Sequence, residues 1–116
     1  MGLKWVIERP KQDVVLVALN GRLAYGDELQ GLKTELASLA GERDLILILD
    51  LSKVEYADSS GLGVLLYLDG VAREAGSKLR LAGVTRRLLE LFQITHTDKE
   101  LTIDRDVASR LSHRAF

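Results

Sequence analysis

Cysteine is absent from this chain of 116 residues, and histidine occurs only twice, at His96 and His113. The first absence excludes disulfides, thiolate catalysis and thiolate metal sites. The two histidines stand 17 residues apart, without the short spacing of a metal-binding pair, so no metal or cofactor is expected. A charge excess of one sign is also missing: 16 basic and 17 acidic side chains are interspersed to a net −1. Nucleic acid is therefore not an expected partner, and Arg86, Arg87 and Arg105 read as solvated surface. No apolar run approaches the roughly 18 residues of a membrane span. The start, Met1 to Trp5, has no signal-peptide core, and Val6 stands where a myristoylation motif beginning at Gly2 wants Ser or Thr. These features predict a soluble cytoplasmic protein without direct membrane insertion. The length suits one domain that removes roughly two thirds of its unfolded surface from water.

What is present is a regular alternation of short elements. Trp5 to Glu8 and Val14 to Leu19 are rich in β-branched residues and are separated by a turn-like Arg9-Pro10-Lys11-Gln12-Asp13, which predicts an antiparallel hairpin ended by Asn20-Gly21. Leu29, Leu32, Leu36 and Leu39 then recur at helical steps up to Gly41. The run Leu45 to Leu49 has no polar alternation and reads as a central strand covered on both faces. A second helix is expected from about Ser59 to Ala75, stopped by Gly76, and a strand from Lys78 to Ala82. Thr85 should cap a third helix carrying Val84, Leu88, Leu91 and Phe92. Leu101 to Ile103 reads as a short strand, and Asp104 as the cap of a last helix using Val107 and Leu111. Strands alternating with helices require right-handed crossovers, so the expected fold is α/β: a mixed sheet with an N-terminal antiparallel hairpin and about four packed helices.

The segment Asp58-Ser59-Ser60-Gly61-Leu62-Gly63 stands where the apolar strand gives way to the second helix. The first N–H groups of a helix lack intrahelical partners and carry the positive end of the peptide dipoles, which favours short oxygen-bearing side chains there. Drawn as a wheel, the helix places Val64, Leu65, Leu68, Val71, Ala72 and Ala75 on one stripe facing the sheet. Leu62 and Leu66 fall on the side of Asp69 and Arg73 and are predicted to form an exposed apolar patch, one turn from the hydroxyls, for a partner. A phosphate of about −1.5 to −2 charge on a serine at this helix start would be tolerated by the fold and would oppose an apolar or acidic partner.

The order of elements, the Asp-Ser-Ser-Gly-Leu-Gly turn after an apolar strand, and the later helix from Val84 to Phe92 together resemble the STAS domain, especially stand-alone bacterial anti-sigma factor antagonists. The resemblance covers nearly the whole chain, 1–116. It implies a module, not an enzyme, that binds an anti-sigma factor with serine kinase activity and so releases a sigma factor. It further implies that the kinase ends binding by phosphorylating the first serine after the aspartate, Ser59, and that a phosphatase resets the switch. Asp58, Ser60, Gly61, Leu62, Gly63 and Leu66 would then form the partner-binding surface.

One position departs from the family pattern. After Gly21-Arg22-Leu23, where the family often carries an acidic residue, this chain has Ala24, and Asp27 is the nearest candidate to compensate. The alternative reading is accordingly a constitutive STAS subunit of a larger assembly, a stress-sensing complex or a lipid-transport machine, without phosphoswitching. A serine hydrolase is disfavoured because neither a Gly-x-Ser-x-Gly elbow nor a histidine in its usual context is present. A Walker loop is excluded too, since Ser60-Gly61-Leu62-Gly63 lacks the Gly-Lys-Ser/Thr ending.

Overall fold

The computed structural model describes residues 2–104. Strand β1 (Leu3–Lys11) and strand β2 (Val14–Leu23) form the expected antiparallel hairpin, both longer than the sequence suggests. Pro10 belongs to β1 rather than to the turn, which is reduced to Gln12-Asp13. An edge strand tolerates a residue without an N–H, and the register shift between Glu8 and Lys11 absorbs it. Asn20-Gly21 likewise fails to end β2. Register shifts around these two residues let the strand continue, with Gly21 at a positive φ of 125° where a Cβ would fall on the Gly2 carbonyl.

Helix α1 (Asp27–Ala40) follows, burying Leu29, Leu32 and Leu36. Strand β3 (Ile46–Ala57) and strand β4 (Lys78–Ala82) complete a four-stranded sheet of order β1-β2-β3-β4, with β3 parallel to both neighbours. Between them runs helix α2 (Ser59–Glu74), released by Gly76 at positive φ as expected of a helix stop. Helix α3 (Arg86–Ile94) starts at Thr85, whose hydroxyl accepts from the Leu88 N–H at 3.2 Å. A 3-10 turn at Thr97–Lys99 then brings the chain back beside the sheet.

Period-two alternation gives β3 two apolar faces. Leu47, Leu49 and Leu51 join the main core with leucines of α1 and α2 and with Leu88 and Phe92 of α3, while Ile48 packs with Val14 and Ala82 in a second buried cluster. Buried Ser77 ties the loop after α1 to the start of β4, donating to the Glu42 carbonyl at 2.5 Å and accepting from the Leu45 N–H at 2.9 Å. The expected strand at Leu101 to Ile103 is reduced to a single parallel bridge between Leu81 and Ile103. Three α-helices are seen among the described residues; the expected helix beyond Asp104, with Val107 and Leu111, lies outside them, as do Arg105 and His113.

Candidate functional site

Parallel crossovers bring the ends of β2 and β3 to the same edge of the sheet, and from there α1 and α2 start side by side. The Asp58 turn closes this edge. Its backbone N–H donates to the Leu23 carbonyl at 3.0 Å, anchoring the start of α2 to the end of β2. One carboxylate oxygen, Oδ1, accepts from the Gly61 N–H at 2.9 Å as a helix cap. The other, Oδ2, accepts from the Tyr25 N–H at 3.0 Å, across 33 residues of sequence. The Tyr25 N–H above all, helped by those of Gly61, Ser60 and Asp58 itself, holds the Asp58 carboxyl below the usual carboxylate range, against desolvation, which opposes it less strongly than Tyr25 but more strongly than any other single N–H. Sequence suggested the cap; the loop staple had no local signal.

Ser59, the first residue of α2, is exposed, and Ser60 is half-buried. The remaining expected contact residues separate. Gly61 is buried, and a Cβ there would fall on the Leu23 carbonyl oxygen, so its smallness lets α2 approach β2. Gly63 is exposed with open space where a Cβ would stand.

The expected exposed patch of Leu62 and Leu66 is corrected. Leu62 is only 7% exposed and belongs to the main core, and Leu66 is half-buried against that core. Asp69 and Arg73 made that side of α2 look wet, but Asp69 is itself buried and accepts from the Arg73 Nε at 2.7 Å. Arg73 also reaches the Glu100 carbonyl at 3.3 Å, so the returning chain covers this flank. The buried stripe is correspondingly rotated toward Leu62 and Asp69, leaving Val71 and Ala75 half-exposed.

The residues sequence reasoning missed are the tyrosines. Tyr25 is 87% exposed in the loop that Asp58 holds, and Tyr67 is 48% exposed on the outer face of α2. A groove of about 490 Å³ between α1 and α2 is lined by Tyr25, Asp27, Lys33, Ser60 and Gly63 among others. Asp27, the candidate substitute for the carboxylate absent at Ala24, thus borders the same concavity as Ser60. His96 is exposed, at a positive φ of 64° before the 3-10 turn.

A mixed sheet with two parallel helices starting at one edge, and a capped serine turn between them, defines a small α/β module whose distinctive surface is that turn. A family model described as the STAS domain matches residues 6–110, and the chain belongs to that family. An anti-sigma-B factor antagonist of Listeria monocytogenes is 43% identical over 51 residues, a match covering 44% of this chain and 45% of that relative, under half of its length. Among solved structures, an anti-sigma-factor antagonist (STAS) domain protein of Planctomyces limnophilus superposes with a TM-score of 0.80 at 17% identity, covering 97% of this chain and 98% of that one. The phosphorylated form of the Bacillus cell fate determinant SpoIIAA gives 0.72 at 14% identity, covering 97% and 100%. No helix among the described residues is long and apolar enough to cross a membrane.

Proposed function

We propose that the chain is an anti-sigma factor antagonist, a module that binds an anti-sigma factor with serine kinase activity, frees the sigma factor, and is released when Ser59 is phosphorylated. A phosphatase returns it to the binding state. The observation that carries this reading is Ser59 itself: an exposed hydroxyl on the first residue of α2, beside a carboxylate whose two oxygens are already engaged by backbone N–H groups. Because Asp58 rather than Ser59 caps the helix, modification of the hydroxyl leaves the cap in place. The added dianion sits near the positive end of α2, so the fold tolerates it while an acidic or apolar partner surface does not. The name of the Listeria relative supports the same assignment.

The test is to incubate the purified domain and ATP with each serine kinase of the anti-sigma type from its own cell and to map the product. Phosphate on Ser59, and weaker kinase binding by the modified form, is the expected result. A domain that binds but never acquires phosphate there favours the constitutive subunit, the reading that Ala24 supports.

A further inference from the structure

The two edges of the sheet differ. At β4 the edge is closed at Leu81, which donates to the Thr102 carbonyl at 2.8 Å and accepts from the Asp104 N–H at 2.6 Å. At β1 no strand lies alongside among the described residues. Which backbone groups β1 presents follows from its neighbours. The Ile46 N–H donates to the Asp13 carbonyl at 2.8 Å, so Asp13 points at β3, and alternation turns the backbone groups of Leu16 and Ala18 toward β1. Leu16 and Ala18 stand in register with Glu8 and Val6, which therefore bond to β2 and leave Trp5 and Ile7 pointing outward. Leu3, in the same alternation, shows the direction: its N–H leaves the sheet for the Glu28 carboxylate at 2.8 Å. No turn, loop or side-chain hydrogen bond among the described residues takes up the outward groups of Trp5 and Ile7. Pro10 and the register shift between Glu8 and Lys11 blunt only the far end of this edge.

The side chains of the open stretch, Lys4-Trp5-Val6-Ile7-Glu8, match their own reverse. Val6 stands at the centre and is 62% exposed. Lys4 and Glu8 are exposed at equal steps on either side of it, facing Asn20 and Leu16 on β2, and neither has an ion pair among the described residues. They lie roughly 13 Å apart along the strand and cannot pair with each other. In a second copy turned antiparallel about Val6, Lys4 meets Glu8 of that copy and Glu8 meets its Lys4. Val6 then faces Val6 in a close, non-hydrogen-bonded pair, and Trp5 opposes Ile7, exchanging N–H···O=C bonds through the outward groups of both. A shift by one residue would oppose groups already bonded to β2, and a shift by two would lose both charge pairs. Trp5 and Ile7 are half-buried against the main core, and the indole N–H donates to Glu35 at 2.9 Å, so the rim is held in place.

We propose that two copies of this chain associate through β1, antiparallel about Val6, joining their sheets edge to edge. The occupant of the edge is a second copy because the reversed sequence matches both charges and the central apolar contact at once. The contact is two-fold and uses the open edge of each copy, so assembly closes at the dimer. It involves no residue of the Ser59 turn and stands apart from the antagonist reading: each copy keeps its own turn.

The test is sedimentation equilibrium of the full chain from micromolar to millimolar concentration, where the mass should rise from one chain toward two. Lys4→Glu alone, or Glu8→Lys alone, sets like charges across both symmetric positions and should weaken the dimer about tenfold or more. The double variant Lys4→Glu, Glu8→Lys restores opposite charges and should return the dissociation constant to within about threefold of the parent. All three should melt with the parent, since both side chains are exposed without an ionic partner. In the parent, which needs no substitution, amide exchange at Trp5 and Ile7 should slow as the dimer fills. A chain that stays monomeric throughout, a dimer indifferent to the single reversals or unrestored by the double one, or unchanged exchange at Trp5 and Ile7 overturns the proposal.

Discussion

The two sides of α2 answer to different demands, and Gly61 and Gly63 make the difference visible only two residues apart. On the inner side Gly61, Leu62, Leu65 and Leu68 are buried against β2 and the core, and the glycine there is set by the close approach of the Leu23 carbonyl. On the outer side Ser59, Gly63 and Tyr67 face solvent, and a Cβ on Gly63 would meet nothing within 4 Å. Inner residues respond to packing, so a change there is read as stability. Outer residues lie outside the core packing, so a change there should leave the fold intact and, on the antagonist reading proposed above, be read as binding.

The largest expected effect is on the inner side. Leu62→Asp places an unpaired carboxylate in the core and should lower stability by at least about 3 kcal/mol, measured by urea unfolding. A Leu62→Asp variant that retains parental stability would break the assignment of Leu62 to the buried face. Next comes Gly61→Ala, expected to cost about 1–3 kcal/mol because the methyl group collides with backbone rather than with a yielding side chain.

Asp58 joins the two sides, and Asp58→Ala should cost about 1–2 kcal/mol through loss of the cap at Gly61. It should also raise amide exchange at Tyr25, whose N–H loses its acceptor. The sign with pH follows from a folded-state carboxyl held below its unfolded value of about 4. Its contribution is fully present above that value and is lost as pH falls through the lower folded value. Thermal melts should therefore show a shallower acid limb for Asp58→Asn than for the parent, and identical limbs would sink the staple.

The smallest effects belong to the outer side. Gly63→Ala should raise stability by up to about 1 kcal/mol, because helix propensity improves and no neighbour is displaced. Tyr25→Ala should leave stability within about 0.5 kcal/mol of the parent. A large loss of stability from either would blur the distinction between the two sides.

Much of the architecture was legible because its signals are local. Thr85 caps α3, Gly76 ends α2, and Lys78 to Ala82 is a strand, each from residues adjacent in sequence. The extension of β2 past Asn20-Gly21 was not legible, since a bulge depends on the partner strands. The burial of Leu62 was hidden for a related reason. A wheel assigns wetness from polar neighbours, and Asp69 is polar but buried through its ion pair with Arg73.

The amino-acid sequence by itself determined the chemistry of the Asp58 turn, because a helix start needs an acceptor within three residues and the chain supplies one beside two hydroxyls. Only the tertiary structure decided which side of α2 meets solvent, why Gly61 and Gly63 are not equivalent, and that Tyr25 stands at the turn. These depend on β2 and on the loop before α1, which reach Asp58 across more than thirty residues, and no local pattern encodes a contact made by chain crossover.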